Sequence, residues 1–157
     1  MAIILENIIL ERVKISDLPI LYQITQDAMS EVNLFFKNTV FSEDQKVKHY
    51  KEYSKEMSPQ IDNTWLIKLE KQNIGRLRIV RENNSIFIAG IQILSKFQSQ
   101  GIGGFIMDVL IKESKKNKVP IGLKVHKINQ KAIKFYLKYN FKIISENETQ
   151  FEMEFKF

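Results

Sequence analysis

FQSQGIGGFIMDVL, residues 97–110, sets three glycines within four positions directly before an apolar repeat. Ile102, Phe105, Ile106, Val109 and Leu110 recur at i, i+3, i+4, i+7 and i+8, so the spacing predicts a helix over 101–117 with one buried face. The run before it, SIFIAGIQIL (85–94), reads as a strand. What the glycines serve at this strand-to-helix passage decides the fold. A Walker-type loop needs Lys-Ser/Thr after the last glycine, and Phe105-Ile106 stands there. A dinucleotide fingerprint needs a third glycine at 106, where the chain has Ile106, and a parallel βαβ unit near the start of a doubly wound fold. Two readings stay open. The glycines serve only a turn, or they let a pyrophosphate approach the unpaired N–H groups and positive dipole end of the helix.

Outward from this stretch the chain reads as alternating elements. IILERVK (8–14) is a strand, and ISDLPILYQITQDAM begins a helix with Ser16 as its N-cap and Leu18, Leu21, Ile24 and Ala28 on one face. Residues 29–41 are aromatic and irregular, a loop or short helix. FSEDQKVKHYKEYSKEM (41–57) is a second helix, capped by Ser42 and stopped by Ser58-Pro59. TWLIKLE (64–70), IGRLRIVRE (74–82) and SIFIAGIQIL form an antiparallel meander turning at Gln72-Asn73 and Asn83-Asn84, and Gly90 inside the third strand suggests a bulge or a close backbone approach. After the 101–117 helix come a strand (119–125), a helix (129–139) bearing Ala132, Phe135, Tyr136 and Tyr139 on one side, and two closing strands, FKIISE and TQFEMEFKF. The order β-α-α-β-β-β-α-β-α-β-β predicts one α/β domain over residues 1–157, a mixed sheet with helices on its faces.

Composition agrees with a folded domain: 157 residues, 44% hydrophobic and 11% aromatic. No cysteine is present, and the two histidines, His49 and His126, are far apart and in no metal motif, so no metal is expected. The net charge of +6 is spread over scattered lysines. Its densest run, KESKKNK (112–118), suits a helix C-terminus, and without an aromatic-basic motif no nucleic-acid partner is expected. The opening MAIILENIIL has no basic n-region and is too short to span a membrane, which predicts a cytoplasmic protein with no membrane partner.

Gln98-Ser99-Gln100-Gly101-Ile102-Gly103 resembles the Q/R-x-x-G-x-G/A acetyl-CoA signature of the GCN5-related N-acetyltransferases, the GNAT superfamily. NQKAIKFYLKYNF (129–141), about thirty residues on, is similar to that family's N-x-x-A-x-x-x-Y-x-x-x-G-F, and the element order matches over almost the whole chain. LKVHKINQKAIKFYLKYNF with a closing FEMEF looks like one subgroup of small bacterial members. The resemblance implies the acyl-CoA N-acyltransferase fold. That fold has a mostly antiparallel mixed sheet of about seven strands with about four helices, splayed between strands 4 and 5. The implied activity is acetyl transfer from acetyl-CoA to a primary amine of a small molecule, protein or peptide, by direct attack, with no metal, in a monomer or homodimer.

It also implies roles for residues. Backbone amides of Gln98, Ser99, Gln100, Gly101, Ile102, Gly103 and Gly104 hold the CoA pyrophosphate. The backbone of Ile91, Gln92 and Ile93 runs beside the pantetheine arm, and Asn129, an N-cap in any case, lies near it. Tyr136 stands by the thioester sulfur, where a phenol can protonate the leaving thiolate or stabilise its charge; without the motif it reads as a core aromatic.

Three positions depart from the family pattern. Asn140 replaces a glycine and is the next-best residue for a left-handed turn. Ser95 replaces a frequent proline. Gln92 replaces a frequent glutamate that acts as general base, and an amide cannot take the proton. Asp27, Glu31, Glu82 and His126 are the other candidate bases, and the amine can also arrive neutral. Phe35, Phe36 and Phe41 are candidates to wall an acceptor pocket, with Asp27 and Glu31 to attract a cation. The alternative reading is a CoA-binding sensor or interaction module that has lost catalysis.

Overall fold

The computed structural model describes residues 5–29 and 42–157. Glu31, Phe35, Phe36 and Phe41 lie outside the described residues, so the loop reading of 29–41 stays an expectation beyond Met29. Among the described residues seven strands and four α-helices follow in the expected order: β1 (Ile8–Arg12), α1 (Leu18–Ala28), α2 (Glu43–Met57), β2 (Thr64–Leu69), β3 (Gln72–Glu82), β4 (Ser85–Ile93), α3 (Ile102–Asn117), β5 (Ile121–His126), α4 (Gln130–Lys138), β6 (Lys142–Glu146) and β7 (Gln150–Phe155). The strands form one mixed sheet in the order β1-β2-β3-β4-β5-β7-β6. The pairs β1–β2, β2–β3, β5–β7 and β6–β7 are antiparallel, while β4–β5 is parallel. The parallel register covers Ile86–Ile88 against Ile121–Leu123, after which Lys124–His126 continue in register with β7. The fold class is that expected.

Chain contacts gather into two compact units, residues 1–78 with 91–102, and 79–90 with 103–157. In the first, Leu18, Leu21 and Ile24 of α1 are buried in one cluster with Val13, Met57 of α2 and Leu66 of β2. The apolar stripe read from the sequence is thus the buried face. The cap of α1 differs: a short 3-10 turn over Ile15–Asp17 precedes it, and Asp17 rather than Ser16 is the N-cap. Asp17 Oδ2 accepts from the Lys14 N–H (2.8 Å), and Pro19 in the first turn costs no hydrogen bond. Ser42 caps α2 as expected, accepting from the Gln45 N–H while Gln45 Oε1 accepts from the Ser42 N–H.

The first hairpin turns at Glu70-Lys71, not at Gln72-Asn73, which pair inside β3 with Leu69 and Lys68. A register shift at Ile67/Lys68 and a left-handed Glu70 (φ 55°) accommodate the earlier turn. Gly75 on β3 marks a close strand approach: a Cβ there would sit 2.5 Å from the Gln92 carbonyl oxygen and 3.1 Å from Ile67 Cδ1. Because the first obstacle is backbone, Gly75→Ala is expected to lower stability by about 1–3 kcal/mol. Urea unfolding measures it, and an unchanged midpoint would show that the strands part without cost.

In the second unit Phe141 is fully buried, with its ring 5.6 Å from Tyr136 and 5.8 Å from Phe155. On α3, Ile106, Met107 and Leu110 are buried, whereas Val109, expected on the buried face, is exposed. Four residues per turn overrun the true 3.6 period, so the stripe drifts to Met107. β6 is an exposed strand with a register shift at Ile143/Ser145, a common way of blunting a sheet edge.

Candidate functional site

Within the first unit, Ile91, Gln92 and Ile93 end β4, and a 3-10 turn (Ser95–Phe97) leads to the glycine loop. Gln98 Nε2 donates to the Ile93 carbonyl and Gln100 Nε2 to the Lys96 carbonyl, each at 2.8 Å. Both side chains therefore fold back on the loop and brace it. Ser99 (φ 59°) and Gly101 (φ 86°) take left-handed backbone. Gly101 thus has a reason internal to the chain, since a side chain there would be strained. Among the described residues no backbone acceptor takes the N–H of Ser99, Gln100 or Gly101. Helix geometry leaves the first N–H groups of α3, from Ile102 through Gly104, without intrahelical acceptors. The amides of Ser99, Gln100, Gly101 and Ile102, at a positive helix end, are a donor set that suits an anion. Ile102 is itself buried, so it offers its backbone alone.

Ser95 explains its own departure from proline. Its N–H and Oγ both donate to Asp27 Oδ2, at 2.6 and 2.7 Å, tying the end of α1 to the loop. Proline has no N–H to give. Asp27 is thereby occupied in holding Ser95. Gln92 Oε1 accepts from Arg76 Nε at 2.6 Å.

In the second unit, a Cβ at Gly104 would meet the Tyr139 hydroxyl at 2.6 Å, so this glycine leaves room for the end of that side chain. Asn129 is the N-cap of α4, its Oδ1 accepting from the Ala132 N–H (3.1 Å). Asn140 is left-handed (φ 64°) and the Phe141 N–H returns to the Tyr136 carbonyl, so the glycine-less turn forms as expected. Tyr136 is buried with Ile133 on α4, its ring edge-on to Phe135 (5.4 Å). Burial pushes its phenol up to about 12, and among the described residues its hydroxyl has no hydrogen-bond partner. Glu82 accepts from Ser85 Oγ (3.4 Å) at the β3–β4 turn. His126 is exposed on β5 beside Gln150 (3.5 Å). The described residues hold no group of three His, Asp or Glu able to bind a metal, and no helix long and apolar enough to cross a membrane.

Sequence reading passed over Arg76, Arg78, Tyr53 and the Asp27–Ser95 pair. The signal available was the i, i+2 pair of arginines in the otherwise apolar IGRLRIV.

The Acetyltransferase (GNAT) family pattern matches residues 21–141. No curated protein sequence matches the chain. Among solved structures it is similar to the PaiA N-acetyltransferase of Thermoplasma acidophilum in complex with coenzyme A, at TM-score 0.73 and 19% identity over 96% of this chain and 99% of that one. An acetyltransferase of Thermus thermophilus gives 0.71 and 17%, covering both chains fully (100% and 100%). Arabidopsis thaliana Naa50 in complex with the bisubstrate analogue CoA-Ac-MVNAL gives 0.63 and 18%, over 96% of this chain and 99% of that one.

Proposed function

The chain belongs to the acetyltransferase (GNAT) family, and on that premise we propose that it transfers an acetyl group from acetyl-CoA to a primary amine by direct attack in a ternary complex. The observation that carries this reading is the braced loop of the first unit, where among the described residues the N–H groups of Ser99, Gln100 and Gly101 meet no backbone acceptor as the chain enters α3. A pyrophosphate is an anion that such amides can hold, and CoA carries one. In this reading Gln98, Ser99, Gln100, Gly101, Ile102, Gly103 and Gly104 bind it through their backbone. Ile91, Gln92 and Ile93 lie along the pantetheine arm, with Asn129 near it. Acetyl-CoA supplies the activated thioester.

Tyr136 is the catalytic residue. As the new C–N bond forms and the C–S bond breaks, its hydroxyl donates to the sulfur and the amine proton passes to solvent. The reading assigns no base among the described residues: Gln92 is an amide held by Arg76, Asp27 accepts two bonds from Ser95, Glu82 accepts from Ser85 at the β3–β4 turn, and His126 is exposed on β5. The acceptor therefore reacts as the neutral amine.

Calorimetric titration with acetyl-CoA and then CoA tests the assignment. Micromolar binding of both, followed by thiol release with an amine, is the expected result. Binding without turnover on any amine would favour a CoA-binding module, to which the amide at Gln92 is suited. No binding would leave the glycines as a turn and end the enzyme reading.

A further inference from the structure

Arg76 is 94% buried, at 6% relative exposure, yet none of its described neighbours carries a negative charge within ion-pair distance. Its Nε donates to Gln92 Oε1 (2.6 Å), and its Nη1 faces the Tyr53 hydroxyl (3.2 Å) and Met57 Sδ (3.5 Å), all neutral. Arg78 stands two residues on. In register Arg76 pairs with Leu66 and Arg78 with Thr64, so both arginines project from the same face of β3. Arg78 Nε is buried without a hydrogen-bond partner. Burial first, and the like charge of Arg76 second, hold the Arg78 guanidinium below its ordinary value; Glu56 on α2 opposes them. Every residue of this cluster lies in the first unit.

Two guanidinium charges on one face, two residues apart, are costly to bury unless an anion answers them. Neutral acceptors satisfy donors but cancel no charge. Among the described residues, the two guanidinium charges set against the Glu56 carboxylate leave one positive charge over. That remainder matches a monoanion, and a guanidinium fork matches the planar geometry of a carboxylate. Tyr53 beside it is stacked edge-on with Tyr22 (5.2 Å), which in turn contacts Tyr50 (5.3 Å), an aromatic wall for the body of a ligand. Gln92, which Arg76 grips, lies between Ile91 and Ile93, the residues proposed to flank the pantetheine arm.

We propose that Arg76 and Arg78 bind a carboxylate carried by the amine acceptor, so that the substrate is an amine bearing an acid group, of the amino-acid class, rather than a polyamine. This rests on the acetyl-transfer reading above.

Thermal denaturation of the full chain in butyrate, butylamine, inorganic phosphate or chloride, at matched ionic strength, reads the site without turnover. Butyrate is expected to raise Tm above chloride in the wild type, butylamine to leave it unchanged, and Arg76→Gln to abolish the butyrate shift. Arg78→Gln, at a half-buried position, is the second variant should Arg76→Gln unfold. No butyrate shift, or the same shift in both variants, overturns the proposal. A larger shift in phosphate overturns the monoanion assignment. A second readout compares kcat/KM for an amino acid and its decarboxylated amine. The expected ratio is about 10²-fold or more in the wild type, falling towards unity in Arg76→Gln with acetyl-CoA affinity kept; equal values in the wild type overturn it. Failure of acetyl-CoA to bind, with the butyrate shift intact, would strike the acetyl-transfer reading and leave the anion site standing.

Discussion

Tyr136→Phe is expected to lower kcat by about 10²–10⁴-fold while acetyl-CoA affinity and stability at neutral pH stay near wild type. The substitution keeps the ring, which packs on Phe135 and Phe141, and removes a hydroxyl with no partner among the described residues. The role is narrowed by the phenol's own chemistry. Burial pushes it up to about 12, well above an ordinary thiol at about 8.5. A group that holds its proton so firmly donates a hydrogen bond to a departing thiolate and retains the proton; the thiolate then leaves as the anion. The linkage has a definite sign. The native phenol stays protonated to higher pH than the unfolded one, whose ordinary value is 10.0. The associated stability is fully present below about pH 10 and is lost as pH rises through about 12. Alkaline unfolding should therefore move to higher pH in Tyr136→Phe. Steady-state kinetics and pH-dependent unfolding check the two statements separately, and an unchanged kcat would make Tyr136 a packing residue.

Gly103→Val should abolish acetyl-CoA binding, with no heat in a titration that saturates the wild type. The three glycines of the stretch differ in what they tolerate. Gly101 is left-handed, and Gly104 faces the Tyr139 hydroxyl. A loss at either would confound folding with binding. Gly103 lies in the first turn of α3 with no left-handed backbone. Valine is no worse a helix former than glycine there, so the helix survives and the branched side chain falls where a pyrophosphate approaches the amides. Retained affinity would sink the cradle; lost affinity in a folded variant would support it.

Periodicity made most of this architecture legible. Leu18, Leu21 and Ile24 gave α1 its buried face, and Ser42 with Gln45 gave α2 its start, because both signals act within a few residues. What escaped was set by partners far along the chain or by local strain. Nothing in Glu70 advertises a positive φ, so the sequence points to a turn two residues later than the one the chain makes. Asp27 and Ser95 are 68 residues apart, and the folded chain alone joins them. Arg76 and Gln92 meet across strands in the same way. The glycine loop was readable by pattern, but the separate reasons for Gly101 and Gly104 required the coordinates.

The interleaving of the two units carries a consequence for synthesis. Each is assembled from two separated stretches of chain, and β3 and β4 contribute to both. A nascent chain cannot complete the first unit when residue 78 emerges; it must wait through the Asn83-Asn84 hairpin until 91–102 has followed. Until then Gly75 has no Gln92 backbone against it, and Arg76 has no glutamine to grip. A ribosome-stalled fragment ending near residue 90 is thus left with unpaired strand edges, the state most exposed to aggregation and to chaperone capture.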